Sequence, residues 1–151
     1  MNINRREFAI ATAALAACVC SGVGLDSACA IVAPSSPVDV GAAGDYPSDG
    51  AVDKFARSNR IIVIRKGDRL YATAATCTHR ECIVKPVQGE LRCPCHGSRF
   101  DLEGAVTKGP ARAPLPRYAI AINSAGRILV DPSQKFDQSQ WDDPRSFVKI
   151  A

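Results

Sequence analysis

The apolar positions of this chain come in short runs broken by turn residues. Ile61-Ile62-Val63-Ile64 follows Arg60 as an unbroken apolar stretch, which predicts a buried strand. Lys66-Gly67-Asp68 reads as a turn and Leu70 to Ala75 as the return strand. Ile83 to Val87 and Glu90 to Arg92 flank Gln88-Gly89, and Arg99 to Leu102 and Ala105 to Thr107 bracket Glu103-Gly104; both are hairpin patterns. Beyond a proline-rich loop from Lys108 to Arg117, Tyr118 to Ile122 and Arg127 to Val130 enclose Asn123-Ser124-Ala125-Gly126. Val38-Asp39-Val40 adds an edge strand near the start. About seven short strands without helical periodicity predict an all-β fold, a small antiparallel sandwich or barrel. From Asp131 the pattern turns polar, so residues 132–151 are expected to form a C-terminal tail. Its Trp141 and Phe147 are expected to pack back on the domain, with partner docking as the alternative.

The beginning of the chain follows another pattern. Arg5 and Arg6, with Phe8 two places on, precede the weakly apolar run Ala9 to Val19, which resembles a twin-arginine export signal. Ala28-Cys29-Ala30 offers a small-x-small cleavage site that would leave Ile31 first. Leu15-Ala16-Ala17-Cys18 also resembles a lipobox. Ala9 to Leu25 could instead stay as an anchor, although it is shorter than the ~20 apolar residues that span comfortably. Residues 1–30 are therefore expected to be a signal peptide, cleaved, lipidated or retained as a membrane tether. Residues 31–36 read as a linker and 37–131 as the folded domain. The expected location is the periplasm or the outer face of the inner membrane.

Composition narrows the class. The 151 residues suit one domain, and 46% hydrophobic with 23% charged residues reads as globular. A formal charge of +4, without basic clusters interleaved with aromatic residues, argues against nucleic acid as a partner. Of seven cysteines, Cys18, Cys20 and Cys29 lie in the presumed signal and the other four in two short boxes.

Those boxes carry the candidate chemistry. C-T-H-R-E-C begins at Cys77 and C-P-C-H-G-S-R-F-D at Cys93. Cys77, His79, Cys93 and His96 form a set of two thiolates and two imidazoles, donors that suit zinc or iron. Two more cysteines, Cys82 and Cys95, stand at what look like matching places in the boxes. A four-ligand zinc site gives them no role, and idle thiols in an exported protein tend to oxidise.

The two boxes, followed by G-A-V-T-K-G-P-A-R-A-P-L-P-R-Y, resemble Rieske iron–sulfur proteins over about residues 36–131. The resemblance implies one 2Fe–2S cluster, with Cys77 and Cys93 on one iron and His79 and His96 on the other, held by a subdomain of two loops. It implies a Cys82–Cys95 disulfide between those loops. Ser98 matches a serine that donates to a cluster sulfur, Gly97 serves backbone geometry, and Pro110 lies in a loop that covers the cluster. Two ferric irons, two sulfides and four thiolates sum to minus two. Two neutral imidazoles in place of two thiolates bring the oxidised cluster to zero and raise its potential by hundreds of millivolts. Phe100 stands where many high-potential members have a tyrosine, which implies a lower potential here. Arg80 and Glu81 replace the Leu-Gly of quinol-oxidising members, which suits docking to a polar protein surface. The implied role is one-electron transfer as a free carrier or small oxidoreductase subunit, with a c-type cytochrome, an oxidoreductase large subunit or cytochrome b as partner. Catalysis is not expected from this domain alone. A subunit of a quinol:cytochrome c complex, a ring-dioxygenase ferredoxin and a structural zinc module are the alternatives.

Overall fold

The computed structural model describes residues 36–150, which form eleven strands, two short 3-10 turns and no α-helix. The signal expected at residues 1–30, and all but residue 36 of the expected linker, lie outside the described residues. In chain order the strands are β1 (Val38–Ala42), β2 (Gly50–Val52), β3 (Ile61–Lys66), β4 (Arg69–Ala74), β5 (Lys85–Val87), β6 (Glu90–Arg92), β7 (Arg99–Phe100), β8 (Val106–Lys108), β9 (Arg117–Ile122), β10 (Arg127–Phe136) and β11 (Val148–Lys149). All pairings are antiparallel, in agreement with the all-β fold read from the sequence.

Two sheets result. The larger has the order β1-β10-β9-β4-β3-β2, with β11 added to β4, and the smaller has the order β5-β6-β7-β8. The β3–β4 hairpin is the wall they share. Ile61, Val63, Leu70 and Ala72 face one core, while Ile62, Ile64, Tyr71 and Ala75 face the other. A strand buried on both faces cannot alternate polar and apolar residues, which explains the unbroken run from Ile61 to Ile64. Each fully buried side chain of this kind contributes roughly 1.5–3 kcal/mol.

The smaller sheet lies in an insertion between β4 and β9, which pair with each other through Ala72–Tyr118 and Thr73–Arg117. At its neck the Ala74 N–H donates to the Pro116 carbonyl at 2.9 Å. The inserted segment thus leaves and rejoins the larger sheet at adjacent points.

The polar composition beyond Asp131 predicts a tail, but much of it is woven into the larger sheet. β10 continues to Phe136 across an irregularity between Asp131 and Lys135, and β11 pairs Val148 with Leu70. Trp141 stacks at 4.4 Å on the Arg117 guanidinium, whose other neighbour is the Tyr71 ring at 3.9 Å. Phe147 packs against the second core. Both aromatic residues therefore pack back on the domain.

Candidate metal centre

Two hairpin tips build the site. In the first, Thr76 bridges Ile83 across the residues Cys77–Cys82. In the second, Arg92 pairs with Arg99 across Cys93–Ser98. The backbone bonds repeat as well. The Cys77 N–H donates to the Cys82 carbonyl and the Glu81 N–H to the Cys77 carbonyl, at 2.8 and 2.9 Å. In the second tip the Cys93 N–H donates to the Ser98 carbonyl and the Gly97 N–H to the Cys93 carbonyl, at 2.8 and 3.1 Å. Closing this turn requires a left-handed residue, and Glu81 and Gly97 take φ values of 52° and 75°. A Cβ on Gly97 would meet nothing within 4 Å, so conformation rather than space calls for glycine there.

The tips are tied together in two ways. Cys82 and Cys95 form a disulfide with a Cα–Cα distance of 6.5 Å. Measured from the leading cysteine of each tip, Cys82 is the fifth residue on and Cys95 the second. Their places are therefore not equivalent, contrary to the matching read from the boxes, and the bond crosses the site diagonally. The proline-rich loop supplies the second tie. The Thr78 hydroxyl donates to the Ala113 carbonyl at 2.6 Å, and the Ala111 N–H donates to Ser98 Oγ at 3.0 Å. Pro110, exposed at the turn of that loop, follows Gly109 through a cis peptide bond.

The candidate ligands are brought together in two pairs, thiol with thiol and imidazole with imidazole. Cys77 and Cys93 are free thiols at 1% and 3% exposure, packed in the same buried cluster. Outside them, the His79 and His96 rings meet edge to face with centroids 4.9 Å apart. His79 is half-buried and His96 exposed. The Sγ atoms of Cys82, Cys93 and Cys95 also lie within 4.8 Å of one another. Two of those three are bonded together, so that trio is the disulfide lying against Cys93 rather than a ligand set.

Electrostatics fit a bound cation. Burial, opposed by the N–H groups of Cys95 and His96 that point at its sulfur, raises the Cys93 thiol above its ordinary pKa, and the neighbouring Cys77 thiol adds to the rise. A metal cation inverts that balance, because it stabilises thiolates directly. Nδ1 of His79 is buried and, among the described residues, finds no hydrogen-bond partner. An orphaned ring nitrogen beside two buried thiols suits a metal ligand, since buried polar atoms otherwise find partners. Ser98 is fully buried, and the hydrogen bond to its oxygen leaves the hydroxyl proton uncommitted. Phe100 is fully buried in the same packed cluster as Cys77 and Cys93. The donor set and its surroundings therefore fit a two-iron, two-sulfide cluster with mixed ligands.

Sequence reasoning missed Thr78, whose hydroxyl pins the first tip, and Arg117, whose guanidinium joins the insertion to the larger sheet. Arg117 reaches the carbonyls of Trp141 and Glu103 at 3.3 and 3.5 Å, and burial lowers its pKa. The one available signal was the pair of aromatic residues that enclose it, far apart in sequence.

The family model described as a Rieske 2Fe-2S domain matches residues 36–119. The iron–sulfur subunit of the cytochrome b6-f complex of Chlorobaculum thiosulfatiphilum is 37% identical over 93 residues, 60% of this chain and 51% of that protein. The ubiquinol–cytochrome c reductase iron–sulfur subunit of Blastochloris viridis is 38% identical over 95 residues, 60% of this chain and 48% of that protein. The chain thus spans about half the length of these curated relatives. Among solved structures, the plasma-membrane Rieske protein PetC3 of Synechocystis PCC 6803 aligns with a TM-score of 0.49 and 34% identity, covering 62% of this chain and 97% of that one.

Proposed function

The chain belongs to the Rieske 2Fe-2S family, an electron-transfer domain that binds one such cluster, and from that premise we propose how it holds the cluster and where it works. Cys77 and Cys93 would hold one iron of the cluster, and His79 and His96 the other. The observation that carries this assignment is the sorting of donors into a buried thiol pair and a contacting imidazole pair, with His79 Nδ1 orphaned. When bound, the cluster supplies a one-electron couple at raised potential.

The protein's own groups do the rest. The fully buried Ser98 hydroxyl has its proton free to stabilise added charge. The exposed His96 and half-buried His79 would form the edge through which an electron passes to a partner. The disulfide and the proline-rich loop hold both tips still, which keeps the reorganisation on electron uptake small.

We place this carrier outside the cytoplasm, delivering electrons towards a c-type cytochrome as a free protein or a small subunit of a larger oxidoreductase. The twin-arginine pattern at Arg5 and Arg6 supports export. A second reading, a subunit of a quinol-oxidising cytochrome complex, is favoured by the relatives, which belong to such complexes. Arg80 and Glu81, both exposed beside His79, and the missing hydroxyl at Phe100 weigh against a quinol pocket. Purified protein should be coloured and give the EPR signal of a reduced mixed-ligand cluster, and Cys93→Ser should abolish both. Colourless protein with stoichiometric zinc would overturn the assignment.

A further inference from the structure

Of the seventeen lysines and arginines among residues 36–150, six pair with a carboxylate. Lys66 pairs with Glu103, Arg92 and Arg99 with Glu90, Arg127 with Asp39, Arg145 with Asp143 and Arg69 with Asp142. The surface around His79 carries four of the other eleven. A cleft on one side is lined by Arg60, Lys135 and Glu81, and a cleft on the other by Pro110 and Arg112, with Thr78 and His79 shared between them. Arg80 is exposed next to His79 in the chain. Among the described residues, none of Arg60, Arg80, Arg112 and Lys135 makes an ion pair or side-chain hydrogen bond, and all four are exposed. Glu81 is the one carboxylate lining either cleft.

We propose that this ring of unpaired cations is a docking surface for the carboxylate-rich face of a partner redox protein, centred on His79. The idea rests on His79 being the exit ligand of the cluster. Arg60, Lys135 and Arg112 divide between two clefts that share His79, and Arg80 follows His79 in the chain, so the four do not converge on one point. A small anion entering either cleft would meet the cations on one side of His79 and miss those on the other. A protein surface covers both clefts at once and brings its own cofactor over the imidazole edge. Unpaired charges of one sign act at a distance, steer encounter, and add little to the affinity of the final complex. The arrangement suits a transient partner that must arrive quickly and leave again.

The cluster-bearing protein tests this in two ways. Stopped-flow oxidation of the reduced protein by ferricyanide, a trianion, should slow about tenfold as ionic strength rises from about 10 mM to about 0.5 M. With tris(phenanthroline)cobalt(III), a trication, the trend should reverse. Arg60→Glu, Arg112→Glu and Lys135→Glu together should invert both trends, whereas Lys66→Glu and Lys149→Glu, at the opposite end of the β3–β4 hairpin, should leave their direction unchanged. Binding of a fluorescent oligoglutamate probe, read by anisotropy, should weaken about tenfold in the triple variant and less than about twofold in the distant pair. Equal effects of near and distant reversals, or preferential binding to anionic phospholipid vesicles over oligoglutamate, would overturn the proposal. An intact EPR signal alongside such a result would leave the cluster assignment standing, so the two readings fail separately.

Discussion

Residues 77–82 and 93–98 share a backbone and differ in every side chain but the leading cysteine. In both, the residue before the leading cysteine pairs with the residue six beyond it, and the fourth residue beyond is left-handed. In both, the seventh residue beyond is a fully buried apolar side chain, Val84 in one tip and Phe100 in the other. Yet the imidazole comes two residues after the cysteine in the first tip and three after it in the second, and the half-cystines come five and two residues after. The left-handed position is glycine in one tip and glutamate in the other. The common backbone shows what presenting a pair of candidate ligands demands. The differences show that side-chain identity is set separately, by what each tip must reach.

The largest expected effect comes from cutting the diagonal tie. Replacing Cys82 and Cys95 by serine frees each tip from the other and should cost about 3 kcal/mol, by the usual loop-closure dependence. Thermal denaturation would show a lowered midpoint together with faster loss of the cluster's visible absorption. An unchanged midpoint would mean that each tip is held by its own hairpin alone.

Next come two opposite exchanges at the left-handed position. Gly97→Ala should destabilise the fold by about 1 kcal/mol, because a Cβ is unfavourable at that φ. Glu81→Gly should stabilise it by roughly 0.5 kcal/mol, since relief of strain outweighs the greater freedom of glycine in the unfolded chain. Chemical denaturation measures both. If the two changes had the same sign, the tips would not share a conformational demand.

Phe100→Tyr makes the seventh positions chemically unlike. A hydroxyl placed among the buried thiols should raise the reduction potential by on the order of tens of millivolts. Protein-film voltammetry reads this directly, and an unchanged potential would mean that the hydroxyl does not reach a ligand sulfur.

The smallest effect concerns the contact between the insertion and the β3–β4 turn. Lys66, 2.7 Å from Glu103, lowers the pKa of that carboxyl in the folded state. The contribution is therefore in place above the ordinary carboxylate pKa and is lost as pH falls through the lowered value. Being exposed, the pair contributes less than about 1 kcal/mol. Glu103→Gln should leave stability nearly unchanged at neutral pH and slightly flatten its fall between about pH 5 and pH 3.

The sequence made one part of this molecule legible because chemistry restricts it. Few residues donate to iron, so Cys77, His79, Cys93 and His96 stand out, and strands buried on both faces, such as β3, have few alternatives to Ile and Val. The equivalence of the two tips was hidden because it resides in φ angles and pairing register, which Glu81 and Gly97 express with unrelated side chains. The extension of β10 was hidden by Pro132 and by polar residues that an edge irregularity tolerates. β11 is two residues long, too short for any periodicity to show. Arg117 reads as a loop-end cation, and only the distant Tyr71 and Trp141 reveal that it is enclosed.

The neck between Ala74 and Pro116 has a consequence for how such molecules arise. A segment that enters and leaves through neighbouring antiparallel strands makes almost no topological demand on its host. Lengthening or shortening the remainder of the larger sheet leaves the two hairpin tips undisturbed, because their ties run among themselves and to the loop beside them. The iron-binding part is in that sense portable. Its host must still supply a wall such as β3–β4, with Ile62, Ile64 and Tyr71 facing the insertion, and is otherwise free to diverge towards whichever partner it serves.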